Sequence, residues 1–130
     1  MSIECAALDI PTGNLKPILH EIAHSLGRWL NEGTEHSIDL RAMPMSNAEV
    51  AQLVDALGQG EVKVTLEVLG DTEIIETRYS GVWLVTHFNE DHSAQTRTIE
   101  ITDVPALLKT QRADAVYGLQ QLHESLEEQP

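Results

Sequence analysis

The most constraining feature of this sequence is a run of alternating apolar and polar residues between positions 62 and 102. Apolar side chains occupy every second position from Val62 to Val68, with charged or hydroxyl side chains between them. Such alternation predicts a strand with one buried face. Further strands are predicted over 73–79, 81–88 and 96–102, separated by turn residues at 70–71 and 89–92. Because the connections are short, the four strands are predicted to form an antiparallel meander.

The third strand of this meander is apolar on both of its faces. Val82 and Leu84 point to one side and Trp83 and Val85 to the other, because successive side chains of a strand alternate. We therefore expect this strand to lie in the middle of the sheet, with other elements covering each face.

Helices are predicted before and after the meander in the sequence. Residues 14–32 are predicted to form a helix whose apolar side chains recur every three or four positions on one face (Leu15, Ile18, Leu19, Ile22, Leu26, Trp29, Leu30). A short strand over 37–41 precedes a second helix, which Ser46 and Glu49 open as a capping box. A last helix is predicted to be capped by Asp103, with Pro105 in its first turn. Its apolar stripe contains Leu108, Ala115, Leu119, Leu122 and Leu126.

The resulting order, α-β-α-β-β-β-β-α, predicts an α+β fold with a mostly antiparallel sheet of about five strands packed with helices. Residues 1–13 are predicted to be a loose N-terminal lead-in. Residues 14–130 are predicted to form a single domain with a frayed, acidic C-terminus.

Charge and composition exclude several classes of function. Twenty-one acidic residues against eight Lys and Arg give a formal net charge of −13, so the chain lacks the basic clusters that bind nucleic acid or anionic membranes. The same charge attracts a basic peptide, although it also serves simply to keep a small protein soluble. With one cysteine, no apolar run of membrane-spanning length and no N-terminal signal pattern, we expect a soluble, cytoplasmic protein.

The strongest chemical motif is His20-Glu21-Ile22-Ala23-His24, which fits the H-E-x-x-H pattern of zinc hydrolases. Two histidines four residues apart on a helix can chelate zinc, with the glutamate as general base. Helical geometry, however, places His20 and His24 about 140° and about 180° from the centre of the apolar face, on the solvent side. Glu32, Glu35 and His36 are the nearby candidates for a third ligand, and nothing in the pattern marks any of them. The motif is therefore interpreted as a solvated helix face, with a metal site at His20 and His24 as the alternative.

A series of short blocks, in order, resembles the C-terminal conserved region of the HupH/HyaF-type hydrogenase expression/formation proteins. The resemblance covers about residues 15–126. The blocks are Ile38-Asp39-Leu40-Arg41, Met43-Pro44-Met45-Ser46, Leu57-Gly58-Gln59-Gly60-Glu61-Val62, Leu69-Gly70-Asp71-Thr72-Glu73-Ile74, Glu76-Thr77, Ser80-Gly81-Val82-Trp83-Leu84-Val85, Ile99-Glu100-Ile101, Val104-Pro105 and Leu107-Leu108.

The resemblance implies a non-enzymatic accessory or chaperone role in making nickel–iron uptake hydrogenases, without a catalytic residue or a cofactor. The implied partners are the iron–sulfur small subunit precursor, which carries a twin-arginine signal segment, and other hydrogenase accessory proteins. Members of the family are usually longer, with a region ahead of this domain.

Residues Arg41, Gly81, Val82 and Trp83 are the predicted partner-binding surface. Tryptophan is enriched in interface hot spots, and a strand that is apolar on both faces can leave Trp83 for a partner. The alternatives are that Trp83 packs under a helix and that Arg41 pairs with Asp39 or a neighbouring glutamate. Two rival functions remain at this point: a small zinc-dependent hydrolase built on His20, Glu21 and His24, and a generic oligomeric module whose sheet edge pairs with itself.

Overall fold

The predicted meander forms most of a five-stranded antiparallel sheet. The computed structural model describes residues 12–68 and 70–128. The strands are β1 (His36–Asp39), β2 (Lys63–Val68), β3 (Gly70–Glu76), β4 (Val82–Phe88) and β5 (Ala94–Ile101). The helices are α1 (Leu15–Glu32), α2 (Asn47–Leu57), a 3₁₀ helix (Ala106–Leu108) and α3 (Arg112–Glu128). The predicted α+β class and element order are confirmed, while the predicted lead-in falls, except for Thr12 and Gly13, outside the described residues.

The sheet has the strand order β1-β5-β4-β3-β2, which puts β4 in its centre as predicted. Helices α1 and α2 cover one face of the sheet. The core on this side joins apolar side chains of both helices to those of β1, β4 and β5 and to Leu40, which follows β1 (Ile18, Ile22, Ile38, Leu40, Leu53, Leu57, Val82, Leu84, Ile99, Ile101). Burial of these side chains is the main stabilising contribution to the fold.

The opposite face of the sheet carries a second, smaller core. Ile74, Trp83 and Val85 are buried there, and Leu108 of the 3₁₀ helix packs against them. The segment that follows β5 therefore crosses to the face that α1 and α2 do not cover. This crossing determines where α3 begins.

Glu49 joins the start of α1 to the start of α2. The predicted capping box is present: the Ser46 hydroxyl accepts from the Glu49 N–H at 3.1 Å, and the Glu49 carboxylate accepts from the Ser46 N–H at 3.0 Å. The same carboxylate also accepts from the N–H groups of Thr12 and Gly13 at 2.9 and 3.0 Å and from the Thr12 hydroxyl at 2.8 Å. These donors, the Ser46 N–H first, lower the pKa of Glu49 to about 2.

Replacing Glu49 by Gln is expected to lower the melting temperature at neutral pH and to flatten its decrease in acid. The folded-state pKa of about 2 lies below the ordinary 4.5, so the ionised carboxylate stabilises the fold above pH 4.5 and this contribution is lost as the pH falls through about 2. Thermal unfolding followed by circular dichroism from neutral pH to about pH 2 measures both effects. Glu90→Gln, at an exposed hairpin position, is the control. An unchanged acid dependence in Glu49→Gln would contradict this assignment.

Two helical predictions are wrong in detail. The last helix does not begin after Asp103: the Asp103 carboxylate accepts from the Val104 N–H at 2.7 Å in a local turn, Pro105 has an extended ψ of 141°, and α3 begins only at Arg112. Packing of the partly buried Leu108 against the second core separates the two helical pieces. In α1, Leu30 was placed on the buried face, yet it is 71% exposed, because the apolar arc of this helix is wider than the part the sheet covers.

Candidate peptide-binding cleft

The predicted partner-binding residues of β4 are mostly covered. Val82 lies in the core beneath α1, and Trp83 is only 7% exposed, with its Nε1–H donating to the Thr102 carbonyl at 3.1 Å. Gly81 has a φ of +94°, and a Cβ there would lie 3.1 Å from Leu26 Cδ1, so glycine allows the chain to turn close under α1. The expectation that this strand leaves Trp83 exposed for a partner is therefore wrong. The 3₁₀ segment covers that face.

Arg41 is exposed and forms the predicted pair with Asp39. Its Nη2 lies 3.2 Å from Asp39 Oδ2, and its backbone N–H donates to Asp39 Oδ1 at 2.9 Å. These hydrogen bonds, that of the Arg41 side chain first, lower the pKa of Asp39. The N–H of the neighbouring Leu40 donates to the Arg97 carbonyl at 3.0 Å, and Arg97 of β5 pairs with Thr86 of β4 in the sheet. Thr86 is five residues, or about 16 Å, along the strand from Gly81, so the fold does not bring the predicted set together.

The H-E-x-x-H residues lie where helical geometry predicts. His20 and His24 are exposed on the solvent side of α1. The intervening Glu21 is half-buried and places its Oε2 atom 3.5 Å from Nε2 of His36. Within residues 12–68 and 70–128, no group of three or more His, Cys, Asp or Glu side chains is arranged to hold a metal ion.

His36 also lines a different site, a cleft of about 250 Å³ at the β1 edge of the sheet. We call it the acidic cleft. The end of the α1–β1 connection, the last residues of β5 and the 3₁₀ helix form its walls. Its lining residues are Glu35, His36, Ser37, Glu100, Ile101, Thr102, Ala106 and Lys109.

Thr102 organises the floor of the acidic cleft. Its carbonyl accepts from the Trp83 indole, and its backbone N–H donates to the Gly81 carbonyl at 3.0 Å. Its hydroxyl contacts the Glu35 carboxylate directly. The buried Trp83 therefore supports the cleft from below, and Thr102 fixes one of its carboxylates.

Glu100 is the second carboxylate of the acidic cleft, and its environment disfavours its charge. The pKa of Glu100 is raised, mainly because the carboxyl group is partly buried and also because Glu35 is negatively charged. A hydrogen bond from the Ala106 N–H to the Glu100 carboxylate and the charge of His87 lower the pKa of Glu100, but they offset only part of this rise. The carboxylate of the half-buried Glu100 is thus repelled by that of the exposed Glu35. A cationic group placed between them relieves this repulsion and gains two charge-assisted hydrogen bonds. Lys109 also lines the cleft, but the carboxyl group whose pKa its charge lowers is that of Asp103, and Lys109 is not among the groups that shift the pKa of Glu100. The acidic cleft is therefore suited to an arginine or lysine side chain of a partner.

From the sequence, Glu35 is predicted only as a candidate zinc ligand, and Glu100 is not predicted to belong to any site. The one local signal was Glu100 itself, an acidic residue between two core isoleucines of a strand. Its approach to Glu35, 65 residues earlier, follows from the pairing of β1 with β5, in which Ser37 faces Glu100. No periodicity within either segment contains that information.

The fold and the cleft define an α+β domain with an acidic recess at the β1 edge of the sheet. A family model described as "HupH hydrogenase expression protein, C-terminal conserved region" matches residues 12–129. The chain therefore belongs to this family, and the resemblance predicted from the sequence is confirmed.

Individual relatives agree with this assignment. The chain is 31% identical over 94 residues to the hydrogenase expression/formation protein HupH of Rhizobium leguminosarum, covering 72% of this chain and 33% of that protein. It is 27% identical over 126 residues to the hydrogenase expression/formation protein HoxQ of Azotobacter vinelandii, covering 92% of this chain and 44% of that protein. The chain thus spans 33% of the length of the first relative and 44% of the length of the second.

A solved structure shares the fold. The hydrogenase expression protein HupH from Thiobacillus denitrificans superposes with a TM-score of 0.86 at 36% identity, covering 92% of this chain and all of that chain. In the part of the present chain that the structure describes, no helix is both long and apolar enough to cross a membrane.

Proposed function

We propose that this chain is a non-enzymatic accessory protein for maturation of a nickel–iron uptake hydrogenase. Its proposed partner is the iron–sulfur small subunit precursor, met in the cytoplasm before export, together with other hydrogenase accessory proteins. Relatives named as hydrogenase expression/formation proteins support the role in maturation. The acidic cleft is the observation that supports a basic partner segment.

Charge contributes to the proposed binding in two ways: by long-range attraction of the partner and by short-range hydrogen bonds in the cleft. The net charge of −13 draws a basic segment towards the protein and raises the encounter rate. At the surface, Glu35 and Glu100 then accept hydrogen bonds from a guanidinium group, whose planar donors match carboxylate geometry. A twin-arginine signal segment supplies two such groups in one short stretch of chain. We therefore assign the arginine pair of the precursor to the acidic cleft.

The decisive experiment compares two labelled peptides in a fluorescence-anisotropy titration of the 130-residue chain. One carries the signal segment of a hydrogenase small subunit, and the other has glutamine in place of both arginines. We expect binding of the first peptide to weaken about tenfold between about 0.05 and about 0.5 M salt, because salt screens exposed charges. The glutamine peptide is expected to bind at least about tenfold more weakly, which corresponds to about 1.4 kcal/mol.

Co-purification with the whole precursor, with and without its signal segment, extends the comparison to the folded partner. Equal binding of the two peptides, or binding independent of salt, would exclude the acidic cleft as an arginine site. Retention of the precursor after removal of its signal would place the contact on the mature small subunit instead.

A further inference from the structure

Helix α3 is amphipathic, yet its apolar side covers nothing in the described part of the chain. Ala115, Leu119, Leu122 and Leu126 follow one another at spacings of four, three and four residues, which puts them on one side of the helix. We call them the α3 stripe. The three leucines are 55–58% exposed, and no residue of α3 is buried. An apolar stripe of three turns is the pattern of a helix that packs against another element.

Helix α1 presents a matching surface at the border of the core, where Leu19 and Leu26 are only partly buried. Leu19, Ala23, Leu26 and Leu30 have the same spacing of four, three and four residues, and we call them the α1 stripe. Three of them border an apolar groove of about 330 Å³ (lined by Leu19, Ile22, Ala23, Leu26, Leu57, Tyr79 and Val82). Tyr79, which lines the groove, is exposed, and the exposed Leu30 extends this apolar surface along α1.

In the structure, the α3 helix of a chain does not occupy the groove of the same chain. Every described residue of α3 is exposed, and the groove beside α1 is open. Leu108, which residues 109–111 connect to α3, packs on the Trp83 face of the sheet, whereas the groove lies on the Val82 face. The α3 stripe and the groove are therefore both left uncovered within the described chain.

We propose that two copies of this chain form a two-fold dimer in which the α3 stripe of each copy packs antiparallel into the α1 groove of the other. Charges at the helix ends determine the direction. Lys16 precedes the α1 stripe and Glu32 follows it, with Glu32 Oε2 also 3.4 Å from Arg28 Nε of its own helix. Arg112 precedes the α3 stripe, and the acids Glu127 and Glu128 follow it. Antiparallel packing brings Lys16 to the two acids and Arg112 to Glu32. Parallel packing would place like charges together at both ends.

The size of the contact is consistent with a reversible dimer. Helix α3 is about 25 Å long and about 10 Å wide, so it covers about 250 Å² of each surface. The two symmetric contacts bury about 1,000 Å² in total, near the lower limit for a specific interface. In the antiparallel register each alanine faces a leucine, Ala23 against Leu122 and Ala115 against Leu30, which lets the helices approach closely.

Sedimentation of the chain from about 1 to about 200 μM tests the dimer, and we expect its mass to rise from 14.4 kDa towards twice that value. Leu119→Asp places a charge in the α3 stripe and is expected to keep the chain monomeric at every concentration. Gln120→Asp adds the same charge on another side of this exposed helix and is the matched control. A chain that stays monomeric throughout, or a dimer that persists in Leu119→Asp, would overturn the proposal.

Disulfide trapping tests the partner and the direction, in a background where Cys5 is replaced by Ser. The pair Leu19→Cys and Leu126→Cys is expected to give a covalent dimer on oxidation, because the antiparallel register places these positions together. The pair Leu19→Cys and Ala115→Cys is expected to give none, because these positions meet only in the parallel register. A disulfide within one chain, or a covalent dimer from the second pair alone, would overturn the proposal. Since the acidic cleft lies apart from the groove, none of these results depends on peptide binding.

Discussion

Replacing Glu35 and Glu100 together by Gln is expected to weaken binding of the twin-arginine peptide by about 10- to 30-fold. Each partly exposed carboxylate–guanidinium pair contributes up to about 1 kcal/mol, so loss of both costs about 1.4 to 2 kcal/mol. Glutamine keeps the size of the side chains and the hydrogen bonds from Thr102 and Ala106, so the fold is expected to persist. Anisotropy titration at low salt measures the affinity, and circular dichroism verifies the fold.

The matched control for this variant is Glu61→Gln with Glu90→Gln. Both are exposed, they change the net charge by the same amount, and they lie before β2 at the other sheet edge and in the β4–β5 hairpin. We expect an affinity loss of less than about threefold from the weaker long-range field alone. Equal losses in the two double variants would show that net charge, and not the acidic cleft, determines binding.

Replacing Leu53 by Ala is expected to lower the free energy of unfolding by about 3 kcal/mol, the largest effect on stability expected here. Leu53 is fully buried in the core that joins α2 to the sheet, and truncation removes its contacts and leaves a cavity. Leu107→Ala makes the same chemical change at a half-exposed position of the 3₁₀ helix, and we expect it to cost about 0.5 kcal/mol or less. Urea unfolding of the two variants gives the comparison. Similar costs would mean that α2 does not anchor the core as described.

Local signals predicted the elements well because they act over a few residues. The capping box of Ser46 and Glu49 lies within one helical turn, and the hairpin at 89–92 closes through the His92 N–H and the Asn89 carbonyl at 3.0 Å. The apolar residues on both faces of β4 likewise indicated a strand covered on both sides, and β4 is the middle strand of the sheet. The solvent side of His20 and His24 followed from helical geometry alone.

The candidate site was less predictable because its parts come from distant segments. Glu35 and Glu100 meet only through the register of β1 on β5, which sequence periodicity does not specify. Trp83 is of a residue type that is enriched in interface hot spots, but the chain after β5 folds back and covers it. Its role is to hold Thr102 beneath the cleft and not to present a surface.

By itself, the sequence determined the alternation from Val62 onwards, the element order around it, the acidity and the membership of a hydrogenase expression family. Tertiary structure decided which apolar residues became core. Leu30 and the α3 stripe have the same spacing as buried positions, yet they stay exposed in the single chain. Spacing defines a face of a helix but not the layer that covers it. Coverage depends on where the 3₁₀ segment crosses the sheet, and Leu108 fixes that crossing by packing against the second core.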